Sequence, residues 1–168
     1  MVGARGGQYT RCMKNEAAAS KPDFREMTRA LYAVVSAPPG QRDWNGIRRY
    51  YHPEARLVRT GVNPDGSPFA RVFSLDAYIE NVAQLISGDT SFSEVEVAHE
   101  SIVFGNVARL SSVYEFTWQS PTETRRGHGV NFFTLIHDAG EWRIMSIVWD
   151  NERPGLALPP ELYPRAAS

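Results

Sequence analysis

Two titratable side chains lie where a proton could be transferred within an apolar region. His99 falls on an apolar face of a predicted strand, and imidazole can act as a general acid or base near neutral pH. Asp150 ends the last predicted strand, where a carboxylate facing an apolar cavity could also move protons. Each has a structural alternative. His99 could be a core histidine bonded to Ser112 or Tyr114, and Asp150 could form a surface ion pair with Arg153.

Several polar and aromatic side chains could orient a ligand beside such an acid or base. Tyr50 and Tyr51 follow an apolar helical stripe, and either hydroxyl could stabilise a ligand oxyanion, with core packing as the alternative. Arg59 and Asn131 are polar residues within apolar strands. A ligand carboxylate or carbonyl would explain both, and a surface sheet edge would equally explain Arg59. The remaining candidates for ligand binding are Trp44, Ser112, Tyr114, Phe133, Trp142 and Ser146.

The elements that must position these side chains are helices followed by strands. Apolar residues at helical spacing predict helices over residues 22 to 37, 43 to 51 and 74 to 87. Strands are predicted at 55–60, 92–104, 107–119, 127–138 and 141–150. Helices first, then strands joined by hairpins, indicate an α+β fold with an antiparallel sheet.

Hairpin turns decide which side chains share a face of that sheet. Gly105-Asn106 predicts a two-residue turn, which would place His99 and Tyr114 on the apolar face and Glu94 and Glu96 on the other. That apolar face is Val95, Val97, His99, Ser101, Val103, Ala108, Leu110, Ser112, Tyr114, Phe116 and Trp118.

The last two strands are joined at Asp138-Ala139-Gly140, where Ala139-Gly140 predicts a second two-residue turn. One face of this hairpin would carry Asn131, Phe133, Leu135, His137, Trp142, Ile144, Ser146, Val148 and Asp150. A four-residue loop at 120–123 would join this face to the His99 face, whereas a five-residue loop would join the opposite one. We adopt the four-residue loop, which places His99 and Asp150 in one cavity.

The opposite face of the last hairpin is also apolar. Its members include Val130, Phe132, Met145, Ile147 and Trp149. A strand that is apolar on both faces must be covered on both. We therefore expect a homodimer that buries this patch between two sheets.

Composition narrows the functional classes. The 168 residues are enough for one domain, 42% are hydrophobic, and the net charge of −1 provides no basic surface for nucleic acid. Cys12 is the single cysteine, so no internal disulfide can form. The sequence has no membrane span, signal peptide, metal-ligand spacing, phosphate loop or dinucleotide fingerprint. We expect a cytoplasmic protein that uses no cofactor or metal.

The chain divides into a domain and two tails. Residues 1–21 have no apolar periodicity and are expected to be a disordered tail. Residues 22–152 carry the predicted domain. Residues 153–168 are rich in proline and are expected to be extended.

The arrangement resembles the nuclear transport factor 2-like (NTF2-like) superfamily, and within it the SnoaL-like branch. The matching residues are Tyr50-Tyr51-His52-Pro53-Glu54-Ala55, the helix from Leu75 to Ile86, and Asp138-Ala139-Gly140-Glu141-Trp142-Arg143-Ile144. The resemblance implies a cystatin-like α+β cone, in which a curved antiparallel sheet wraps around the N-terminal helices and leaves an internal cavity. Proteins of this superfamily include ketosteroid isomerases, dehydratases, cyclases, epoxide hydrolases and non-catalytic modules.

The sequence leaves two functions open. The first is a cofactor-independent isomerase, dehydratase or cyclase, an isomerase or lyase acting on a small apolar or carbonyl-bearing molecule. His99 or Asp150 would be its base, and Tyr50 or Tyr51 would polarise an oxygen. The second is a non-catalytic ligand-binding or protein-interaction module of the same fold.

Overall fold

The computed structural model describes residues 22–163, which form an α+β fold of three helices and one six-stranded sheet. The helices are α1 (Arg25–Ser36), α2 (Trp44–Arg48) and α3 (Leu75–Leu85), with a short 3-10 helix at Pro160–Leu162. The strands are β1 (Tyr51–Val62), β2 (Pro68–Phe73), β3 (Ser91–Phe104), β4 (Val107–Gln119), β5 (Thr124–Asp138) and β6 (Glu141–Asn151). The predicted fold class is confirmed, and the predicted tail at 1–21 lies outside the described residues.

Helix positions follow from their caps and apolar stripes. The Ser74 hydroxyl accepts a hydrogen bond from the Ala77 amide at 3.2 Å, which fixes the start of α3. The Asp43 carboxylate caps α2 through the Gly46 amide at 2.9 Å. The predicted extension of α2 to residue 51 is wrong. Tyr51 begins β1, because the backbone around it pairs with Ile144 of β6.

The strands lie in the order β2-β1-β6-β5-β4-β3. All neighbours are antiparallel except β1 and β6, which run parallel, so the sheet is mixed rather than wholly antiparallel. Strand β2 was not predicted. It begins at a proline on the edge of the sheet, where the missing amide hydrogen does not disturb a ladder.

The predicted turns and the predicted loop are confirmed. Phe104 pairs with Val107, and Asp138 pairs with Glu141. In the second turn both central residues have positive φ, 51° at Ala139 and 84° at Gly140, as this hairpin type requires. The loop at 120–123 has four residues, because Gln119 pairs with Thr124.

Two bulges change which side chains face inward. Between Glu96 and Ala98, Val97 is an extra residue in β3, and between Ile144 and Ser146, Met145 is an extra residue in β6. Counted from the hairpin turn, a one-residue insertion sends the side chains beyond it to the opposite face, which are the earlier residues in β3 and the later ones in β6. We call the face that packs against the helices the inner face and the other the outer face.

In β3 the bulge turns Glu94 and Glu96 inward. Glu94 pairs with Phe116 and Glu96 with Tyr114, whereas Val95 is 63% exposed on the outer face. The prediction that Val95 and Val97 belong to the core face is therefore wrong. His99 lies beyond the bulge and does face inward, as predicted.

In β6 the bulge reverses the predicted faces beyond Ile144. Ile147 is buried on the inner face and Trp149 lies beside Asn131 there. Ser146 and Asp150 lie on the outer face, so both are wrongly predicted to line a cavity with His99.

Glycines in β5 make room for aromatic rings on the inner face. A β-carbon at Gly129 would collide with the Tyr114 hydroxyl and the Asn151 side chain, and one at Gly127 would touch the Phe116 ring at 3.1 Å. Glycine on both sides of His128 therefore allows a close approach of side chains. His128 itself bonds Glu152 at 3.0 Å.

The segment after β6 covers part of the outer face. Leu158, Leu162 and Tyr163 pack against a small buried cluster that includes Val113 and Val130. Val130 is therefore covered by its own chain rather than left for a second copy. Among the described residues no helix is both long enough and apolar enough to span a membrane.

Candidate functional site

A partly open cavity of about 410 Å³ lies between α3 and the inner face of the sheet. A smaller hollow of about 50 Å³ adjoins it and shares Val35, Tyr78, Glu94 and Trp149 with it. A volume of this order suits a small organic ligand. The walls are mainly aromatic and aliphatic: Val82, Leu85, Ile86, Phe92, Phe116, Trp118 and Trp149.

Glu94 places a carboxyl group in this cavity. The end of α1 fixes its backbone, because the Ser36 hydroxyl accepts from the Glu94 amide at 2.8 Å and donates to its carbonyl at 3.2 Å. The Glu94 carboxyl makes no hydrogen bond or ion pair with any residue from 22 to 163. Its side chain is half-buried by area, but the accessible part lines the cavity, and burial raises its pKa to about 8.

Tyr78 brings a hydroxyl group to the same cavity from α3. Its ring packs edge-on against Trp149, with centroids 5.8 Å apart, and against Trp44 at 6.2 Å. Its hydroxyl has no hydrogen-bond partner within the described part of the chain. Burial raises the pKa of Tyr78, so its phenol stays protonated near neutral pH and can donate to a ligand oxygen.

Tyr114 and Asn151 form a fixed pair in the cavity wall. The Tyr114 hydroxyl donates to the Asn151 side-chain oxygen at 2.6 Å, and burial holds its pKa well above the ordinary value. Tyr114 lines this cavity, although the predicted neighbours His99 and Asp150 do not. Arg59 also lines the cavity, and its binding of a ligand stays a prediction.

His99 belongs to a hydrogen-bonded network next to the cavity. Its Nδ1 lies 2.9 Å from the Glu96 carboxylate, which also accepts from Ser112 at 2.5 Å and from Thr28 at 3.2 Å. Ser112 lies 2.7 Å from the Tyr32 hydroxyl, to which the Asn131 amide donates at 3.0 Å.

This network decides between the alternatives for His99. The cavity lining does not include His99, whereas a shallow surface depression beside Asp23 and Arg25 does. The predicted core histidine fits this position, but its bond goes to Glu96 rather than directly to Ser112 or Tyr114. Ser112 is fully buried, so it connects α1 to the sheet rather than facing the cavity.

Asp150 is paired on the outer face. Its carboxylate accepts from Arg153 at 2.8 Å and from the Asn151 amide at 2.8 Å. This is the surface ion pair given as the alternative, and it removes Asp150 from the proposed acid–base site. Ser146 also lies on the outer face, whereas His99 lies on the inner face.

Of the other predicted residues, some line the small hollow that adjoins the cavity and the rest lie outside both. Tyr51, Trp44, Asn131 and Phe133 line the small hollow. The Tyr50 hydroxyl instead lies 2.8 Å from the Arg49 guanidinium, outside the cavity.

Trp142 is also away from the cavity. Its ring packs against Phe24, with centroids 5.5 Å apart, and against His137 at 5.1 Å. Its predicted place in the cavity with Asn131 is therefore not observed.

Sequence reasoning missed Glu94, Tyr78, Trp149 and Asn151. The bulges reverse the predicted faces of Glu94 and Trp149, and Tyr78 lies within the predicted helix over 74–87 as one of its apolar-stripe residues. Its polar hydroxyl at the centre of an apolar stripe was the available signal. Among residues 22–163 no group of three or more His, Cys, Asp or Glu side chains could hold a metal ion.

No family model and no curated protein sequence matches the chain. Solved structures do match it. A protein with a cystatin-like fold from Caulobacter vibrioides is 12% identical with a TM-score of 0.55, over 79% of this chain and 89% of that one. An NTF2-like protein of unknown function from Pseudomonas putida is 13% identical with a TM-score of 0.54, over 75% and 82%.

A third similar structure is a candidate beta subunit of an aromatic-ring-hydroxylating dioxygenase from Novosphingobium aromaticivorans. It is 13% identical with a TM-score of 0.59, over 83% of this chain and 92% of that one. At these identities the likeness establishes the fold and leaves the activity open. The chain therefore has the cystatin-like fold of the NTF2-like proteins.

Proposed function

We propose that this protein is a cofactor-independent acid–base enzyme of the SnoaL-like type, acting on a small, largely apolar molecule that carries a carbonyl oxygen. The observation that supports it is the unpaired Glu94 carboxyl inside an aromatic cavity. Glu94 takes the place first given to His99 or Asp150. The reaction class remains isomerisation, dehydration or cyclisation.

Glu94 is suited to proton transfer because its pKa of about 8 lies near neutral pH. A general base works best when its pKa is close to the operating pH, since it is then deprotonated often enough and still basic enough. In the proposed reaction Glu94 removes a proton from the carbon next to the carbonyl group. Protonated Glu94 then returns the proton to another atom of the substrate.

Tyr78 has the complementary role. Removal of that proton places negative charge on the carbonyl oxygen, and the free Tyr78 hydroxyl donates a hydrogen bond to it. The rings of Trp149 and Phe116 bind the apolar body and exclude water. Each step uses only side chains that line the cavity.

The test is hydrogen–deuterium exchange of small ketones, enones and lactones in heavy water, followed by proton NMR at about pH 8. We expect Glu94→Gln to slow exchange by roughly 10²- to 10⁴-fold, because it removes the base while keeping the shape. Tyr78→Phe should slow it by roughly 10²-fold. Glu115→Gln is the matched control, since Glu115 is exposed on the outer face.

Equal exchange rates for wild type and Glu94→Gln, with a compound that both bind, would contradict the enzyme proposal. A stabilising ligand that is bound but never exchanged would favour the second candidate, a non-catalytic module. A row of apolar side chains crosses the outer face at Phe132, Val148, Val58 and Val72, and Phe132 is 41% exposed.

We propose that this outer row is covered by a second copy of the chain. The row corrects the patch predicted from sequence, since Ile147 and Trp149 face inward and Val130 is covered by Leu158 and Leu162. A charge placed in the row would be buried in the dimer at high cost. Phe132→Glu should therefore be a monomer at micromolar concentration while the wild type is a dimer.

Light scattering after size exclusion measures this difference. Val95→Glu is the control, because Val95 is also exposed but lies near the edge of the sheet, away from the row. A monomeric wild type would contradict the dimer, as would an unchanged dimer in Phe132→Glu.

A further inference from the structure

Two arginines lie opposite one another beside the cavity without an acidic partner. Arg59 of β1 pairs across the strands with Arg71 of β2, so their side chains leave the same face. Neither forms a hydrogen bond or ion pair with another residue of the described region, and Arg71 lies only over the Phe69 ring at 5.3 Å. Like charges placed directly opposite are unfavourable unless an anion lies between them.

The other arginine that lines the cavity is already neutralised. Arg125 also lines it, but its guanidinium binds both oxygens of Glu123, at 2.6 and 2.8 Å. Arg59 is half-buried and lines the same cavity as Glu94, yet the two do not pair with each other. The cavity thus keeps one unpaired cation and one unpaired acid, and a ligand that contacts both would have a charged or polar end.

We infer that the ligand of this cavity is an apolar carboxylic acid whose carboxylate binds Arg59, with Arg71 beside it. The planar guanidinium matches a carboxylate through two parallel hydrogen bonds. The aromatic wall of Phe92, Phe116 and Trp149 then covers the apolar body. A doubly charged phosphate fits less well, because a single unpaired guanidinium lines the cavity and Glu94 would repel the second charge.

This inference rests on the proposed function only in treating the cavity as the ligand site. It adds that the substrate carries a carboxylate at the end opposite to the one that reacts. A carboxylate at Arg59 holds the molecule in a fixed direction, so that its other end reaches Glu94 and Tyr78.

Calorimetry with three matched probes tests this assignment: 3-phenylpropanoate, its neutral amide, and phenyl phosphate. We expect the wild type to bind the carboxylate roughly 10- to 100-fold more tightly than the amide, the usual range for a hydrogen bond to a charged group. In Arg59→Gln the carboxylate should bind only as well as the amide. Arg126→Gln, on the exposed outer face, should keep the full preference.

The melting temperature of the ligand-free variants separates a binding role from a structural one. If Arg59 stabilises the fold, Arg59→Gln melts lower than wild type. If Arg59 serves to bind a ligand anion, the ligand-free variant melts at the same temperature as the wild type or higher, because an unpaired charge has been removed. A clear drop in melting temperature would overturn the inference.

Other outcomes are equally decisive. Equal affinity for carboxylate and amide in the wild type would overturn the inference, as would tighter binding of phenyl phosphate or no carboxylate binding at about 10 mM. Glu94→Gln separates the two proposals. This variant should keep the carboxylate preference, so its failure to slow exchange would count against the enzyme and leave the carboxylate site standing.

Discussion

At about pH 9 the Glu94→Gln variant should melt on the order of 10 °C higher than the wild type, whereas at about pH 4 the two should melt together. The folded protein raises the pKa of Glu94 from 4.5 to about 8 by burial. In the unfolded chain the carboxyl loses its proton at the lower pKa. Between these values the unfolded state binds fewer protons, so the stability of the wild type falls as the pH rises.

The loss is complete above the folded pKa, where an unpaired carboxylate must stay in the cavity. Each pKa unit corresponds to about 1.4 kcal/mol, and allowing for partial exposure the total is on the order of 3 kcal/mol. Glutamine imitates the protonated form at every pH, so the variant does not show this loss. For a chain of this length, 1 kcal/mol shifts the melting temperature by about 2–4 °C.

Thermal denaturation followed by circular dichroism across this pH range gives the two curves. Glu115→Gln should follow the wild-type curve, since Glu115 is exposed on the outer face. Parallel curves for wild type and Glu94→Gln would mean that the Glu94 carboxyl titrates normally. The acid–base role would then lose its physical basis.

The elements of this fold could be predicted because their signals are local. The stripe of α3 and its Ser74 cap lie within one short segment, and so do the turns at Gly105 and Ala139. The four-residue loop at 120–123 set the pairing of β4 with β5, and with it the positions of Asn131 and Phe133 opposite Ser112 and Leu110.

The site could not be predicted because it depends on two single-residue bulges. Glu94-Val95-Glu96-Val97 alternates regularly, and that pattern favours valines inside and glutamates outside. The structure does the reverse, with Val95 exposed and Glu94 in a cavity. The bulge leaves no mark in the sequence, since the inserted Val97 simply continues the alternation of glutamate and valine.

That reversal also bears on function. Burying a carboxyl and exposing a valine opposes the ordinary preference of both side chains, so it lowers stability locally. Such conflicts between local preference and fold occur mainly at functional sites. Asp150 shows the contrast. The second bulge turns it outward to Arg153, where the two form a half-buried ion pair on the outer face.

Glu96 lies two residues from Glu94 in β3. Replacing Glu96 should destabilise the fold, whereas replacing Glu94 should stabilise it. Glu96→Ala should lower the free energy of unfolding by about 3 kcal/mol, because three side chains lose their shared hydrogen-bond partner inside the protein. Those side chains are Ser112, Thr28 and His99. Ser112 keeps its contact with Tyr32, so part of the network survives.

Urea denaturation at neutral pH measures the change, with Glu100→Ala as the control on the exposed part of the same strand. A Glu96→Ala variant as stable as Glu100→Ala would mean that the network adds nothing to the fold. Because Glu94 makes no hydrogen bond to this network, the difference between Glu94→Gln and its parent should persist in the Glu96→Ala background. The two glutamates on the inner face of β3 would then have opposite effects on stability. Glu96 stabilises the fold because it bonds α1 to the sheet, and Glu94 destabilises it because its carboxyl stays unpaired until a ligand binds.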